Sequence, residues 1–151
     1  MNKIILPLPA AELIPHRKTM LLVDKLLTYD RSQGSGSILA GAETETIFCD
    51  RAGKFLEEVV VLEMMAQAYA CLRGYEDRLK GCQSSLGFLV GVRHFNLWRR
   101  IKISEELIIK VATSIQMDGF FMADALVMVD TEEVAVAELK LWVPPAAEAG
   151  N

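Results

Sequence analysis

A chain of 151 residues with a formal net charge of −4 is most simply one domain, long enough to bury roughly two thirds of its unfolded surface. The negative balance argues against general nucleic-acid binding. Hydrophobic content of 52% and a mean hydropathy of +0.25 instead point to a large core plus an oligomer interface or an apolar ligand tunnel.

Near the start, Pro7, Pro9, Glu12 and Pro15 interrupt any signal-peptide core. Next, "TMLLVDKLLTYD" leads into "RSQGSGS", a turn by its Gly and Ser content, and "SILAGAETET" follows with partial alternation. Together they predict a first hairpin. Cys49, Cys71 and Cys82 are odd in number and lack metal-ligand spacing with the two histidines, so reduced thiols in a cytoplasmic protein are the inference.

The segment "EEVVVLEMMAQAYACL", Glu57 to Leu72, predicts a helix. Glu57 and Glu58 suit its positive end, and Arg73-Gly74 suits its stop. From Val59 to Leu72 only Glu63 and Gln67 are strongly polar, and their spacing of four places them on one helical face. A helix apolar nearly all round is a buried one. Glu63 is therefore expected to be buried or to line a cavity, where a raised proton affinity would suit general acid catalysis. The plainer reading is a Glu bonded to backbone or reaching water at the helix edge.

Beyond the helix, "SSLGFLVGVRHFNL" has strand character, with Gly87 and Gly91 as bulges or close-approach points. "ELIIKVATSIQM" and "FFMADALVMVD" are strands joined at Asp118-Gly119, a strong hairpin signal. A second tight turn at Asp130 to Glu132 leads to "EVAVAELKLWV", where Ala135, Ala137, Leu139 and Leu141 alternate against Val134, Val136, Glu138 and Lys140. Two strands, one long helix and about four strands predict an α+β fold, with an antiparallel sheet curled round the helix. The chain past Pro144-Pro145 reads as a mobile tail.

"LIPHRKTMLLVDKL", Leu13 to Leu26, resembles the opening of the bacterial 3-hydroxyacyl-[acyl-carrier-protein] dehydratases, and "LEMMAQAYA" resembles their central-helix motif. "LGFLVGVRHF" is similar to the branch of that family found in aryl-polyene-type clusters. The resemblance covers roughly residues 13 to 143 and implies a single hotdog domain: about five to six antiparallel strands wrapped round one long central helix. It further implies a dimer or dimer-based oligomer, an acyl-carrier-protein or other acyl-thioester substrate, and no metal or organic cofactor. No membrane partner is expected, because the helix is too short and too closely flanked by charge to span one, and no nucleic-acid partner, because of the net charge. In that family a His removes the proton beside the thioester, and the helix carboxylate protonates the departing hydroxyl. Glu63 matches the carboxylate, and Gln67 the second member of its motif.

The chain departs from the family at two places. Counting back fourteen residues from Glu63, where the family's Gly-His-Phe-Pro histidine belongs, lands on Cys49, and the family's Pro-Gly helix start falls on Glu57-Glu58. Two acidic side chains there would oppose an oxyanion. His16 is then a candidate base, although the active dehydratases carry this Pro-His-Arg histidine beside their catalytic one and a structural role also suits it. His94, alternating with Arg93 on a strand, reads as a surface or interface residue. Cys49 and Asp50 occupy the region of the missing His and, with Gln67, Gly87 and Phe88, form the expected substrate-binding set. The Cys49 thiol suits a small buried hydrophobe, and Asp50 suits a base of the kind related thioesterases use. Arg93, Arg99, Arg100 and Lys102 form a candidate carrier-docking patch, with an ordinary solvated strand as the alternative. The leading function is dehydration of a 3-hydroxyacyl thioester. The rivals are a non-catalytic subunit paired with a paralogue bearing the missing His, and a thioesterase.

Overall fold

Asp30 builds the first chain reversal: its Oδ1 accepts from the backbone N–H of Ser32 at 2.8 Å and of Gln33 at 3.2 Å. This turn joins β2 (Val23–Asp30) to β3 (Ser35–Ala40), the predicted first hairpin. In the computed structural model, which describes residues 4–41 and 48–145, the second half of the expected strand "SILAGAETET" falls outside the described residues. The expected mobile tail also falls outside them beyond Pro145. After the helix α1 (Glu58–Leu79) come β4 (Phe88–Leu97), β5 (Leu107–Met117), β6 (Phe120–Val129) and β7 (Glu132–Trp142). The two later hairpins close at the predicted places, with positive φ at Asp118 (49°), Gly119 (81°) and Asp130 (51°), as tight antiparallel turns require.

Among the described residues all strand pairs are antiparallel, and the seven-stranded sheet runs β1-β2-β3-β5-β6-β7-β4. Seven strands exceed the expected five to six. The addition is β1 (Leu8–Pro9), two residues paired with Leu26 and Lys25 at the sheet margin, too short to show any periodicity. Ala135, Ala137, Leu139 and Leu141 face inward on β7, as their alternation predicts. At β4 the register slips between Leu89 and Gly91, so Gly91 does stand at a bulge. It slips again between Arg93 and Asn96, where His94 takes φ 53° and stands exposed.

Helix α1 lies against β2, β3, β5, β6 and β7 and buries Val61, Met64, Met65, Ala68, Tyr69, Cys71 and Leu72 beneath them. Two expectations about it change. The sheet does not surround it: Leu62, Glu63, Ala66, Ala70 and Arg73 form a strip that is only half-buried, and Val59 is 68% exposed. The helix also runs past Gly74. Its end is a Schellman motif at Gly81 (φ 72°), with Gly81 N–H donating to Arg78 O and Cys82 N–H to Asp77 O.

Gly74 has a different role, because a Cβ built there would lie 2.2 Å from the carbonyl oxygen of Leu13. Glycine is thus required for the close passage of the N-terminal segment, whose Leu13 and Ile14 are buried. Gly74→Ala should therefore destabilise the protein by about 2 kcal/mol or more, although Ala favours helix by about 1 kcal/mol at an unconstrained site. Denaturant unfolding of the two proteins measures this difference.

Candidate active site

Gln67 organises the site. Its side chain is 1% exposed, and its carboxamide is hydrogen-bonded at both ends. The Leu22 N–H donates to Oε1 at 2.8 Å, while Nε2 donates to Met20 O at 2.7 Å and to Glu63 Oε1 at 2.9 Å. The backbone partners fix which end of the amide is oxygen and which nitrogen. The four-residue spacing read from the sequence thus becomes a hydrogen bond that aims Glu63. The same amide straps the segment leading into β2 onto α1.

That segment carries His16. Arg17 Nη1 donates to Ile14 O at 2.9 Å and to His16 O at 2.7 Å, curling the Pro-His-Arg turn on itself. His16 Nε2 then stands 3.9 Å from Glu63 Oε1, and the two side chains retain 33% and 37% exposure. His16 Nδ1 is enclosed and has no hydrogen-bond partner among the described residues. Glu63 thus lines a cavity, as one of its two expectations held, but is not sealed inside the single chain.

The cavity between His16 and Glu63 measures about 230 Å³ and runs along α1 past Ala66, Gln67 and Ala70 to Arg73. Its other wall includes Leu86, Gly87, Phe88, Leu141 and Val143. Of the expected site residues, His16, Glu63, Gln67, Gly87 and Phe88 come together here. Ala66, Ala70 and Arg73 were missed, yet they follow from Glu63 at helical spacing on one face. A larger hollow of about 820 Å³ opens against β2 to β7, with Lys110, Asp124 and Glu138 among its walls. Those charges suit an acyl chain poorly, so the smaller, Glu63-lined cavity is the better candidate.

Cys49 and Asp50 do not join this cavity. Cys49 is buried, and burial pushes its thiol pKa up, as befits a small core side chain. Asp50 Oδ1 accepts from Lys54 N–H at 3.0 Å and Phe55 N–H at 3.3 Å, and Oδ2 accepts from Arg100 Nη2 at 2.9 Å. Arg100 in turn lies over the Phe55 ring at 4.3 Å. Asp50 therefore ties down a turn. Of the expected docking cations, Arg93, Arg99 and Arg100 are likewise engaged. Arg99 is gripped by Glu105 and Glu132, and Arg93 stands 3.7 Å from Glu138. A carrier approaching this stretch would compete with internal carboxylates.

Two outcomes follow from these contacts. Gln67→Met keeps the volume but strands the Leu22 N–H in the interior, which should cost about 1–3 kcal/mol in denaturant unfolding. The Asp50 carboxyl is held below its ordinary pKa, first by the Lys54 N–H. Because the folded value is the lower one, the turn is fully stabilised above the ordinary carboxylate range and loosens as pH falls through the lowered value. Asp50→Asn should remove that acid sensitivity from hydrogen exchange at Lys54 and Phe55.

Residues 8–150 match the ApeP-like family, described as ApeP dehydratase. The 3-hydroxyacyl-[acyl-carrier-protein] dehydratase FabZ of Burkholderia cenocepacia is 30% identical over 136 residues, covering 89% of this chain and 88% of that protein. The FabZ of Burkholderia mallei is 28% identical over the same length. Among solved structures, the dehydratase heterocomplex ApeI:P from Xenorhabdus doucetiae superposes with a TM-score of 0.82 at 19% identity, covering 92% of this chain and 93% of that one. A hypothetical thioesterase with coenzyme A from Streptococcus pneumoniae superposes at 0.57 and 12% identity, covering 74% and 80%. With a family match over nearly its whole length and the hotdog arrangement of helix and sheet, the chain belongs to the ApeP-like branch of the FabZ-type dehydratases.

Proposed function

We propose that this chain dehydrates 3-hydroxyacyl thioesters, presented on acyl carrier protein in the cytoplasm, to trans-2-enoyl thioesters. The observation that carries the proposal is the facing pair His16 and Glu63, 3.9 Å apart at one apolar cavity. His16 Nε2 takes the proton from C2, the C2–H electron pair forms the C2=C3 bond, and the C3–O bond breaks. Glu63 protonates the departing hydroxyl, which leaves as water. Gln67 donates to Glu63 Oε1, so Oε2 is the oxygen that carries the acid proton. Afterwards the proton on His16 returns to Glu63 Oε2 through the released water, completing the cycle without a cofactor.

The site belongs to an oligomer in this reading. Among the described residues β4 pairs with β7 alone, leaving a ten-residue edge on which Phe88, Leu89 and Val90 are 47%, 39% and 51% exposed. A long apolar edge of this kind recruits a further strand, and Phe88 and Leu89 also line the cavity. A second copy seated on β4 would close the cavity wall and withdraw Glu63 from water.

A second reading is favoured by His16 Nδ1. For Nε2 to accept a proton, the imidazole hydrogen must sit on Nδ1, where no acceptor stands among the described residues. A paralogue bearing the family's Gly-His-Phe-Pro histidine would then supply the base, with this chain contributing Glu63. The two readings separate on one assay of enoyl product from a 3-hydroxyacyl thioester. If this chain carries both groups, Glu63→Gln and His16→Asn each lower kcat by at least about a hundredfold. If a paralogue supplies the base, the isolated chain is inactive, and only Glu63→Gln impairs the reconstituted pair. Free thiol appearing without enoyl product would overturn both in favour of a thioesterase.

A further inference from the structure

The cavity that begins at Glu63 does not end in hydrocarbon. Ten residues along α1, roughly 15 Å at 1.5 Å per residue, Arg73 lines it. Between the two lie Ala66 and Ala70, small side chains that leave a groove, with Leu86 and Leu141 opposite. The Arg73 guanidinium lies 4.3 Å above the Phe121 ring, and Phe121 pairs across the sheet with Leu141 of the cavity wall. Glu76 is the one acceptor of Arg73 among the described residues, bonded to Nη1, and Tyr29 donates to the other Glu76 oxygen at 3.2 Å. The Arg73 and Glu76 side chains are 19% and 13% exposed.

A guanidinium has five N–H donors, and here the ion pair occupies one. The remaining donors must be hydrated or meet a ligand. An acyl chain ending in methyl would strip water from them and return nothing, which is unfavourable. Because Glu76 already neutralises the charge, a carboxylate at the chain end would place a second anion beside it. A neutral oxygen meets neither objection.

Resting on the dehydratase reading, which puts the thioester end at His16 and Glu63 and the rest of the acyl chain along α1, we propose that Arg73 is a specificity determinant for acyl groups with a neutral oxygen, such as a hydroxyl, at the far end. Phe121 and Glu76 hold the guanidinium in place, and the acyl oxygen accepts from one of its unused N–H groups. The small residues Ala66 and Ala70 carry the chain to it.

The test is binding of saturated acyl-pantetheine thioesters, from hexanoyl to dodecanoyl, each compared as its ω-methyl, ω-hydroxyl and ω-carboxyl forms. None can be dehydrated, so the result is independent of catalysis. At the length that reaches Arg73, the ω-hydroxyl form should bind about tenfold more tightly than the ω-methyl form, the worth of one added hydrogen bond. The ω-carboxyl form should bind more weakly than the ω-hydroxyl form. In the paired variant Arg73→Met/Glu76→Gln, which strands no buried charge, the ω-methyl form should become the preferred ligand. Equal affinity for the three forms at every length, a preference for ω-methyl in the native protein, or no binding of any form overturns the proposal. Selective binding with no dehydration of the matching 3-hydroxyacyl thioester would overturn the dehydratase reading alone.

Discussion

The structure depends on one buried carboxamide. Gln67 holds the Leu22 N–H and the Met20 carbonyl with one end of each kind, and spends its remaining hydrogen on Glu63. An amide in an apolar core is tolerated only when its donors and acceptor are all engaged, and this one meets that condition. Its hydrogen bonds tie the fold to the chemistry. The strap that brings residues 20 to 22 onto α1 also positions the preceding Pro-His-Arg turn, and hence His16, opposite the carboxylate. Gly74 supports the same arrangement further along the helix by letting the Leu13 backbone pass at close range. The N-terminal segment is therefore part of the wall of the candidate site.

The single chain leaves much apolar surface uncovered, and a good part of it, Leu86, Phe88, Leu89 and Val90, is contiguous in sequence at the start of β4. The half-buried strip of α1, the exposed edge of β4 and the cavity mouth share Phe88 and Leu89 or adjoin them. A domain with this hydrophobic content has two ways to satisfy it: a larger core or a partner. Here the core is closed by β2 to β7, and part of the excess, Leu86, Phe88 and Leu89, lines the cavity that a partner would complete. The acidic Glu57-Glu58 pair at the helix start lies near this uncovered region too, beside Val59, Leu62 and Phe95. Any neighbour there must accept negative charge next to apolar contacts.

Much of this was legible in the residues. The Asp118-Gly119 and Asp130 turns and the β7 alternation each rest on a local rule, and each stands where its rule places it. So does the Glu63–Gln67 pairing. The errors occurred where a local signal met a long-range contact. Arg73-Gly74 reads as a helix stop, but the glycine answers to Leu13, sixty-one residues earlier, and the true stop is Gly81. The apolar helix suggested enclosure on all sides, but composition does not distinguish a core face from one awaiting a partner. Asp50 stood in the right sequence region for a base, yet it caps a turn through backbone amides and Arg100. The cations at Arg93 and Arg99 likewise meet Glu138, Glu105 and Glu132, carboxylates that sequence proximity only partly reveals.

The two polar features of the cavity have related consequences. In the dehydratase reading, elimination requires C2–H to face His16 while C3–O faces Glu63 beside it, and a flexible acyl chain reaches that geometry rarely by itself. An entirely apolar tunnel would let the chain slide along its length, since burial is non-directional. A hydrogen bond at Arg73, roughly three helical turns from Glu63, would fix the register of the chain and so the position of its reacting carbons. Binding energy at the remote end would then appear in kcat as well as in KM, because it is used to orient rather than merely to hold. The rigidity this demands of Arg73 is present already, in its contact with Phe121, its pairing with Glu76 and the Tyr29 hydrogen bond behind it.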